Sequence, residues 1–375
     1  MAGVLDRLLK NSTIKTSATL ANSKFFEEKD MIQTQVPAVN VAFSGRLDGG
    51  ITAGSHIFAG NSKNFKSAFL MLCIRAYLDK YDDGVCLFYD AEGGSPSQYF
   101  TSFGIDGTRV VHCPIMDIEQ LKMDVMKQLN DLKEEDHVII IIDSLGNLAS
   151  KKEVDDALEG KSVADLSRAK AMKSLFRMIT PYLNAKDIPM ISSGHVYKEM
   201  ALFPKDIMSG GTGAYYSSSS IFFISRSQEK DASTKEITGW NFTLTIEKSR
   251  LVKEKSKLTI EVSYDEGINP WSGLLDMALE SGHVDNSTQG WYLKAGDDKK
   301  YRKNDTNNEA FWASILQEPK FQEFVRNKYT LASGSILQDL TEEDSGVTEH
   351  VETGANENET EGTFEDLKPK KKRAK

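Results

Sequence analysis

The sequence predicts an α/β fold, with a mostly parallel central sheet, an antiparallel extension and helices on both faces. Three observations predict it. From Val36 onward, short apolar runs alternate with segments of helical spacing, the pattern of successive βαβ units. Val138-Ile139-Ile140-Ile141-Ile142 sets β-branched residues side by side without alternation. Such a run fits a strand buried on both faces, hence central and parallel. Gly60-Asn61-Ser62-Lys63-Asn64-Phe65-Lys66-Ser67 stands between the apolar run Ile57-Phe58-Ala59 and a helical segment opening at Ala68. Strand, turn, Lys-Ser, helix is the layout of a phosphate-binding loop.

The remaining elements follow in order. Residues 1–28 read as a short amphipathic helix (Val4, Leu5, Leu8, Leu9) and a Ser/Thr/Lys-rich link. A stretch this short cannot bury its own apolar face and must dock on the body or on a neighbour. Phe25-Phe26 follows, either a local staple or a subunit contact. Val85 to Asp90 and Val110 to Cys113 are strands. Ile118, Leu121, Val125, Leu129 and Leu132 recur at helical spacing, so 117–132 is a helix with one buried stripe. Leu166 to Leu183 is helical, and Met190 to Ser193 and Ile221 to Ile224 are strands. Phe242 to Ile246 and Leu258 to Val262 alternate and form the antiparallel extension. The expected organisation is therefore an N-terminal docking segment over 1–28, an α/β core over 29–270, a small C-terminal domain over 271–335 that is either α/β or mostly helical, and a tail over 336–375 in which hydrophobicity collapses.

Composition narrows the class. No apolar run approaches the ~20 residues of a membrane span, and the first residues lack the apolar stretch of a signal peptide. Cys73, Cys86 and Cys113 lie in apolar segments without paired spacing, as expected of reduced thiols in a cytosol. The formal charge of −9 misleads as an average. Residues 338–366 hold 11 acids and no Lys or Arg, and 367–375 hold 6 basic residues and no acid. The rest carries 40 basic and 44 acidic residues, so any nucleic-acid contact must come from local patches. The acidic tail is either an electrostatic competitor of DNA or a solubilising segment.

The chemistry-bearing residues converge on three strand ends. Backbone N–H groups of the Gly60–Ser67 turn and the following helix N-terminus suit an anion. Lys66 would neutralise phosphate oxygens, and the Ser67 hydroxyl would ligate Mg²⁺. Asp143, at the end of the β-branched strand, is the metal-side acid. Glu92, just past the end of another strand, is the base or polariser for an attacking water. One feature departs from the usual loop: Phe65 replaces the second glycine, and a side chain there opposes positive φ. Together the three positions predict an ATPase using ATP and Mg²⁺.

Gly60…Lys66-Ser67, Tyr89-Asp90-Ala91-Glu92 and Asp143-Ser144, in that order, resemble the RecA family of ATP-dependent recombinases. Met208-Ser209-Gly210-Gly211-Thr212-Gly213 is similar to the glycine-rich DNA loop of that family, and Lys248-Ser249-Arg250 to its basic element. Phe65, Asp143 to Glu153 and Ser272 to Glu280 resemble its phage branch, and the likeness covers roughly 1–335. The resemblance implies a RecA-like P-loop ATPase core that forms a filament on single-stranded DNA. It implies homologous pairing and strand exchange with duplex DNA, in recombination, repair and recombination-dependent replication.

By the same resemblance, Gly60, Asn61, Ser62, Lys63, Asn64, Phe65, Lys66 and Ser67 bind nucleotide, and Tyr99 stacks on the adenine. Lys248 and Arg250 reach the γ-phosphate of the neighbouring subunit, and His195 is the sensor between γ-phosphate and the DNA loop. DNA contacts fall to Lys161 and Arg168 in a first loop (155–168), and to Lys198, Lys205, Gly210 and Gly211 in a second (197–213). Partners implied are other copies of the chain, a loader or mediator and a single-strand-binding protein, with no membrane, in the cytoplasm of a bacterial host. The rivals are a hexameric helicase-like DNA motor on the same core and a non-catalytic nucleotide-binding adaptor.

Overall fold

The computed structural model describes residues 3–23, 30–161, 167–199, 206–231, 233–286 and 288–331. Phe25, Phe26 and Lys205 lie outside them, as does the acidic and basic tail beyond Leu331. The first half of the chain forms α1 (Val4–Asn11), α2 (Pro37–Ser44), β1 (Gly54–Gly60), α3 (Lys66–Lys80), β2 (Val85–Asp90), α4 (Ser97–Ser102), β3 (Val110–Pro114), α5 (Ile118–Asp131) and β4 (Val138–Asp143). Next come α6 (Lys151–Leu158), α7 (Ser167–Ala185), β5 (Pro189–Gly194), β6 (Val196–Lys198), β7 (Asp206–Met208), α8 (Gly211–Ser217), β8 (Ser220–Lys230), β9 (Ile237–Ser249), β10 (Lys257–Ser263) and β11 (Gly267–Ile268). The chain closes with α9 (Leu274–Glu280), β12 (Val284–Asp285), β13 (Tyr292–Lys294), β14 (Lys300–Tyr301), α10 (Glu309–Gln317) and α11 (Pro319–Tyr329).

Among the described residues, nine strands form one sheet in the order β11-β10-β9-β8-β1-β5-β4-β2-β3. Strands β8, β1, β5, β4, β2 and β3 are parallel, and β9, β10 and β11 extend the sheet antiparallel. The period of two divides the core. On β4, Ile139 and Ile141 face one hydrophobic layer, shared with α2, α3 and helices α9 to α11. Val138, Ile140 and Ile142 face the other, built with α5, α7 and α8. Every residue of β4 is buried, as the unalternating run requires. Truncating Ile141 to Ala would cost about 2–5 kcal/mol in so tightly packed a layer.

The helices obey their stripes. α5 buries Ile118, Leu121, Val125 and Leu129, and Asp117 caps it by accepting from the Gln120 amide. The segment 271–331 combines short helices with a three-stranded sheet, β12-β13-β14, and its Phe311, Trp312 and Phe321 join the layer under α3. α1 buries nothing, with Val4, Leu5 and Leu8 all more than half exposed. Of the two alternatives for this helix, docking on the chain's own body is therefore absent among the described residues. No described helix is long and apolar enough to cross a membrane.

Candidate nucleotide site

Parallel strands bring their carboxyl ends to one edge, where Gly60, Asp90, Asp143 and Gly194 terminate β1, β2, β4 and β5. Ligands of open α/β sheets bind at such an edge. The phosphate loop turns there. A Cβ on Gly60 would approach the Ile224 carbonyl oxygen to 2.9 Å, so the close approach needs glycine. Asn64 Nδ2 donates to that same carbonyl at 2.6 Å and fastens the loop to β8.

Phe65 does take the left-handed backbone that a side chain opposes, with φ 62°. That conformation costs about 1–2 kcal/mol. The ring stacks on Phe242 at 4.7 Å and meets Phe69 edge-on at 5.9 Å, and aromatic pairs of this kind each contribute about 0.5–1.5 kcal/mol. Packing therefore offsets the strain, which the local sequence could not reveal.

Lys66 opens α3 with its ammonium folded back over the loop, donating to the Gly60 and Asn61 carbonyls at 3.2 and 3.0 Å. Burial lowers its pKa, opposed by the charges of Glu92 and Asp143. It makes no ion pair among the described residues. A desolvated cation held only by carbonyls beside a helix N-terminus is a receptor for an anion. Ser67 Oγ donates to Asp143 Oδ2 at 2.7 Å, and Ser193 Oγ donates to Asp143 Oδ1. Burial raises the Asp143 pKa, and the two hydroxyls oppose that rise.

Glu92 is equally constrained. Asp90 Oδ1 accepts the amides of Glu92 and Gly93 at 2.9 and 2.7 Å, closing a turn that presents Glu92 beyond the strand. Asp90 Oδ2 lies 3.2 Å from His112 Nε2. Glu92 Oε1 accepts from Ser144 Oγ at 2.5 Å and Asn147 Nδ2 at 2.9 Å, with His195 Nε2 at 3.7 Å. His195 in turn exchanges two bonds with Ser209: its amide donates to Ser209 Oγ at 3.0 Å and its carbonyl accepts the Ser209 amide at 2.7 Å. Sequence reasoning missed Ser144, Asn147, Ser193 and Asp90 as supports. The Asp90-Ala91-Glu92 spacing was a signal, since Asp often caps amides two residues on. Ser193 and Asn147 left none.

The other predicted residues are dispersed. Tyr99, on α4, is half-buried against Phe103, and burial pushes its hydroxyl up to about 12, with Asp143 adding to the rise. Lys161 pairs with Glu159, and Lys198 pairs with Asp206 at 2.7 Å across the β6–β7 hairpin. Gly210 and Gly211 have φ of 112° and 75° and turn the chain into α8. Arg168 points inward: its guanidinium donates to the carbonyls of Leu145, Gly146 and Leu148 at 2.7–3.0 Å. A cleft of about 950 Å³ separates the phosphate loop from that hairpin, lined by Asn61, Ser62, Lys198, Arg226 and Lys255 among others.

Lys248 and Arg250 sit elsewhere altogether. β9 runs antiparallel, so Lys248 is registered with Ile221 and Ser249 with Ser220, at the amino end of the parallel strands. Lys248 Nζ donates to the Tyr215 and Tyr216 carbonyls at 2.7 and 2.8 Å, at the carboxyl end of α8. Burial and the neighbouring Arg250 lower its pKa. Arg250 is exposed and makes no hydrogen bond or ion pair among the described residues.

A phosphate loop at the carboxyl edge of such a sheet, continued by an antiparallel extension, defines the class of RecA-like α/β proteins. Residues 19–269 match the family model of the RecA N-terminal domain, and 271–325 match "Bacteriophage T4, Recombination and repair protein, C-terminal domain". The chain belongs to the RecA family of recombinases. It is 45% identical over 343 residues to the Recombination and repair protein of Enterobacteria phage T4, covering 89% of this chain and 87% of that one. Protein RecA of Cytophaga hutchinsonii is 23% identical over 323 residues, covering 84% and 87%. Protein RecA of Malacoplasma penetrans is 21% identical over 237 residues, covering 62% and 69%.

Proposed function

We propose that the chain is a DNA-dependent ATPase that polymerises on single-stranded DNA and exchanges it with a homologous duplex. The observation that carries this reading is the separation of the two charged sets. Lys66, Ser67, Asp143 and Glu92 converge on one edge of the sheet, while Lys248 and Arg250 lie on the opposite edge. One copy thus holds the phosphate loop without these cations, and a second copy must present them. Polymerisation and nucleotide binding then become one equilibrium.

The donor set fits a magnesium nucleoside triphosphate. A desolvated Lys66 lacks an anion, and Ser67 and Asp143 form the hydroxyl–carboxylate pair that would hold the ion. Magnesium, when bound, would neutralise charge on the phosphate oxygens. Lys66 and the loop amides bind and orient the triphosphate, and Tyr99 lies against the base. Glu92 accepts the proton of the attacking water, and Ser144 and Asn147 fix its carboxylate by holding one oxygen. His195, joined to Ser209 just before Gly210, connects Glu92 to the second DNA loop. That loop and Lys198 read a DNA backbone without sequence preference. The likeness to a phage recombination and repair protein favours action in the cytoplasm of a bacterial host, and a loader and a single-strand-binding protein are the further partners of this proposal.

Steady-state ATP hydrolysis with and without single-stranded DNA, with Lys66→Ala as control, tests this. Strong stimulation that the variant abolishes is expected, with helical filaments in electron micrographs. Turnover indifferent to DNA, or closed rings, would sink it.

A further inference from the structure

The turn that follows β4 is held from two sides. Leu145 and Leu148 are buried in the core, and the Leu145 amide donates to the Ser193 carbonyl at 3.0 Å. On its outer side, Ser144 Oγ and Asn147 Nδ2 meet on Glu92 Oε1 at 2.5 and 2.9 Å. On its other side stands Arg168, the second residue of α7. Its Nε donates to Leu148 O at 2.7 Å, and its Nη2 to Leu145 O at 3.0 Å and Gly146 O at 2.9 Å. Three carbonyls of one turn thus depend on one planar guanidinium, which cannot lose its charge and presents its donors as a fixed fork.

We infer that Arg168 is a positioning residue for Glu92, acting through the 144–148 turn and Asn147, rather than a DNA contact. This rests on the reading of Glu92 as the general base. Swinging the guanidinium out to a phosphate would strand three carbonyls, two of them on buried residues, and an unmade bond costs more than a made one contributes. The hydroxyls of Ser150 and Ser167 also meet, so the start of α7 and the end of the turn move as one piece. Any displacement of the amino end of α7 therefore reaches the carboxylate of Glu92 through two hydrogen-bonded steps.

The test uses the full chain with Arg168→Ala, Arg168→Lys, Asn147→Ala and the Arg168→Ala/Asn147→Ala double variant. Read out are kcat and KM for ATP at saturating single-stranded DNA, and DNA affinity at several salt concentrations. Asn147 is exposed, so its variant keeps the fold even where Arg168→Ala melts. Expected is a fall in kcat of about tenfold or more for each alanine variant, with KM and DNA affinity unchanged. Lysine should recover little, and the double variant should be no slower than the worse single one, because both act through the same turn.

Full kcat with weakened DNA affinity and a shallower salt slope in Arg168→Ala would make Arg168 a phosphate contact and overturn the inference. Full kcat in Asn147→Ala would overturn it as well. If instead Glu92→Gln turns over normally, the assignment of the base itself has failed, whatever these variants do.

Discussion

The two edges of the central sheet are built on opposite electrostatic terms. At the carboxyl edge, the α3 N-terminus faces the strand ends, and each catalytic candidate already has its partners: Ser67 on Asp143, Ser144 and Asn147 on Glu92. At the amino edge, the α8 carboxyl end offers bare carbonyls, which attract cations, and Lys248 takes two of them. Arg250 beside it is exposed and unpartnered among the described residues, and the buried His56 has an Nδ1 with no hydrogen bond. One edge is preorganised for chemistry within the subunit. The other leaves Arg250 exposed, and under the proposed function that cation serves a neighbour's nucleotide. Helix polarity explains both, since in a parallel α/β sheet anions and cations belong at opposite ends.

The largest effect that would sharpen this contrast is at the carboxyl edge. Glu92→Gln should retain ATP binding and DNA filaments yet lose turnover on the order of 10²-fold or more. Single-turnover hydrolysis measures it, and an unchanged rate would remove Glu92 from the mechanism. The contrast itself is broken or kept by mixing. A Lys248→Ala/Arg250→Ala chain and a Lys66→Ala chain should each be inactive alone and regain DNA-dependent hydrolysis together, because a hybrid interface joins an intact loop to intact cations. No recovery across mixing ratios would mean that the amino edge does not serve a neighbour's nucleotide.

Next in size is acid stability at the amino edge. Burial holds His56 down at about 4, below its ordinary 6.5, with a bond to the Thr52 carbonyl opposing the shift. The unfolded chain takes up the proton first as pH falls. His56 therefore stabilises fully above pH ~6.5 and loses that contribution progressively down to about pH 4, in total roughly 3 kcal/mol. Denaturant titrations at pH 8, 6 and 4.5 should find this slope in the wild type and a flatter one in His56→Gln. Equal slopes would mean His56 does not control it.

The smallest expected effect is at Phe65. Phe65→Gly relieves about 1–2 kcal/mol of left-handed strain while losing both ring pairs and the ring's burial, so the relief offsets only part of the loss. Phe65→Ala keeps the strain and loses the rings, and should be clearly less stable in the same titration. The reverse order would show that strain there is negligible.

Much of the carboxyl edge was legible because its signals are local. The 138–142 run had to be a central strand, and the positions of Asp143, Glu92 and Lys66 followed from strand ends and a loop. The supports were not legible. Ser193 reaches Asp143 from 50 residues away and Asn147 reaches Glu92 from 55, and no spacing rule links them. That Arg168, a DNA contact by resemblance, also bonds three carbonyls of the turn after β4 was not legible, since a basic residue beside a polar loop gives no sign that it will turn inward. Phe25-Phe26, Lys205 and the tail lie outside the described residues.

By itself the sequence determined the alternation of strands and helices, the phosphate loop, and the acids at strand ends, because periodicity and turn chemistry act over a few residues. Only the tertiary structure decided that Lys248 and Arg250 face away from the chain's own loop. It also decided that Phe65 can hold a left-handed turn, and that Arg168 braces the turn carrying Asn147. These depend on register and on packing between distant elements. The antiparallel pairing of β9 with β8 sends Lys248 to the far edge, and β9 also supplies the Phe242 ring against which Phe65 is held.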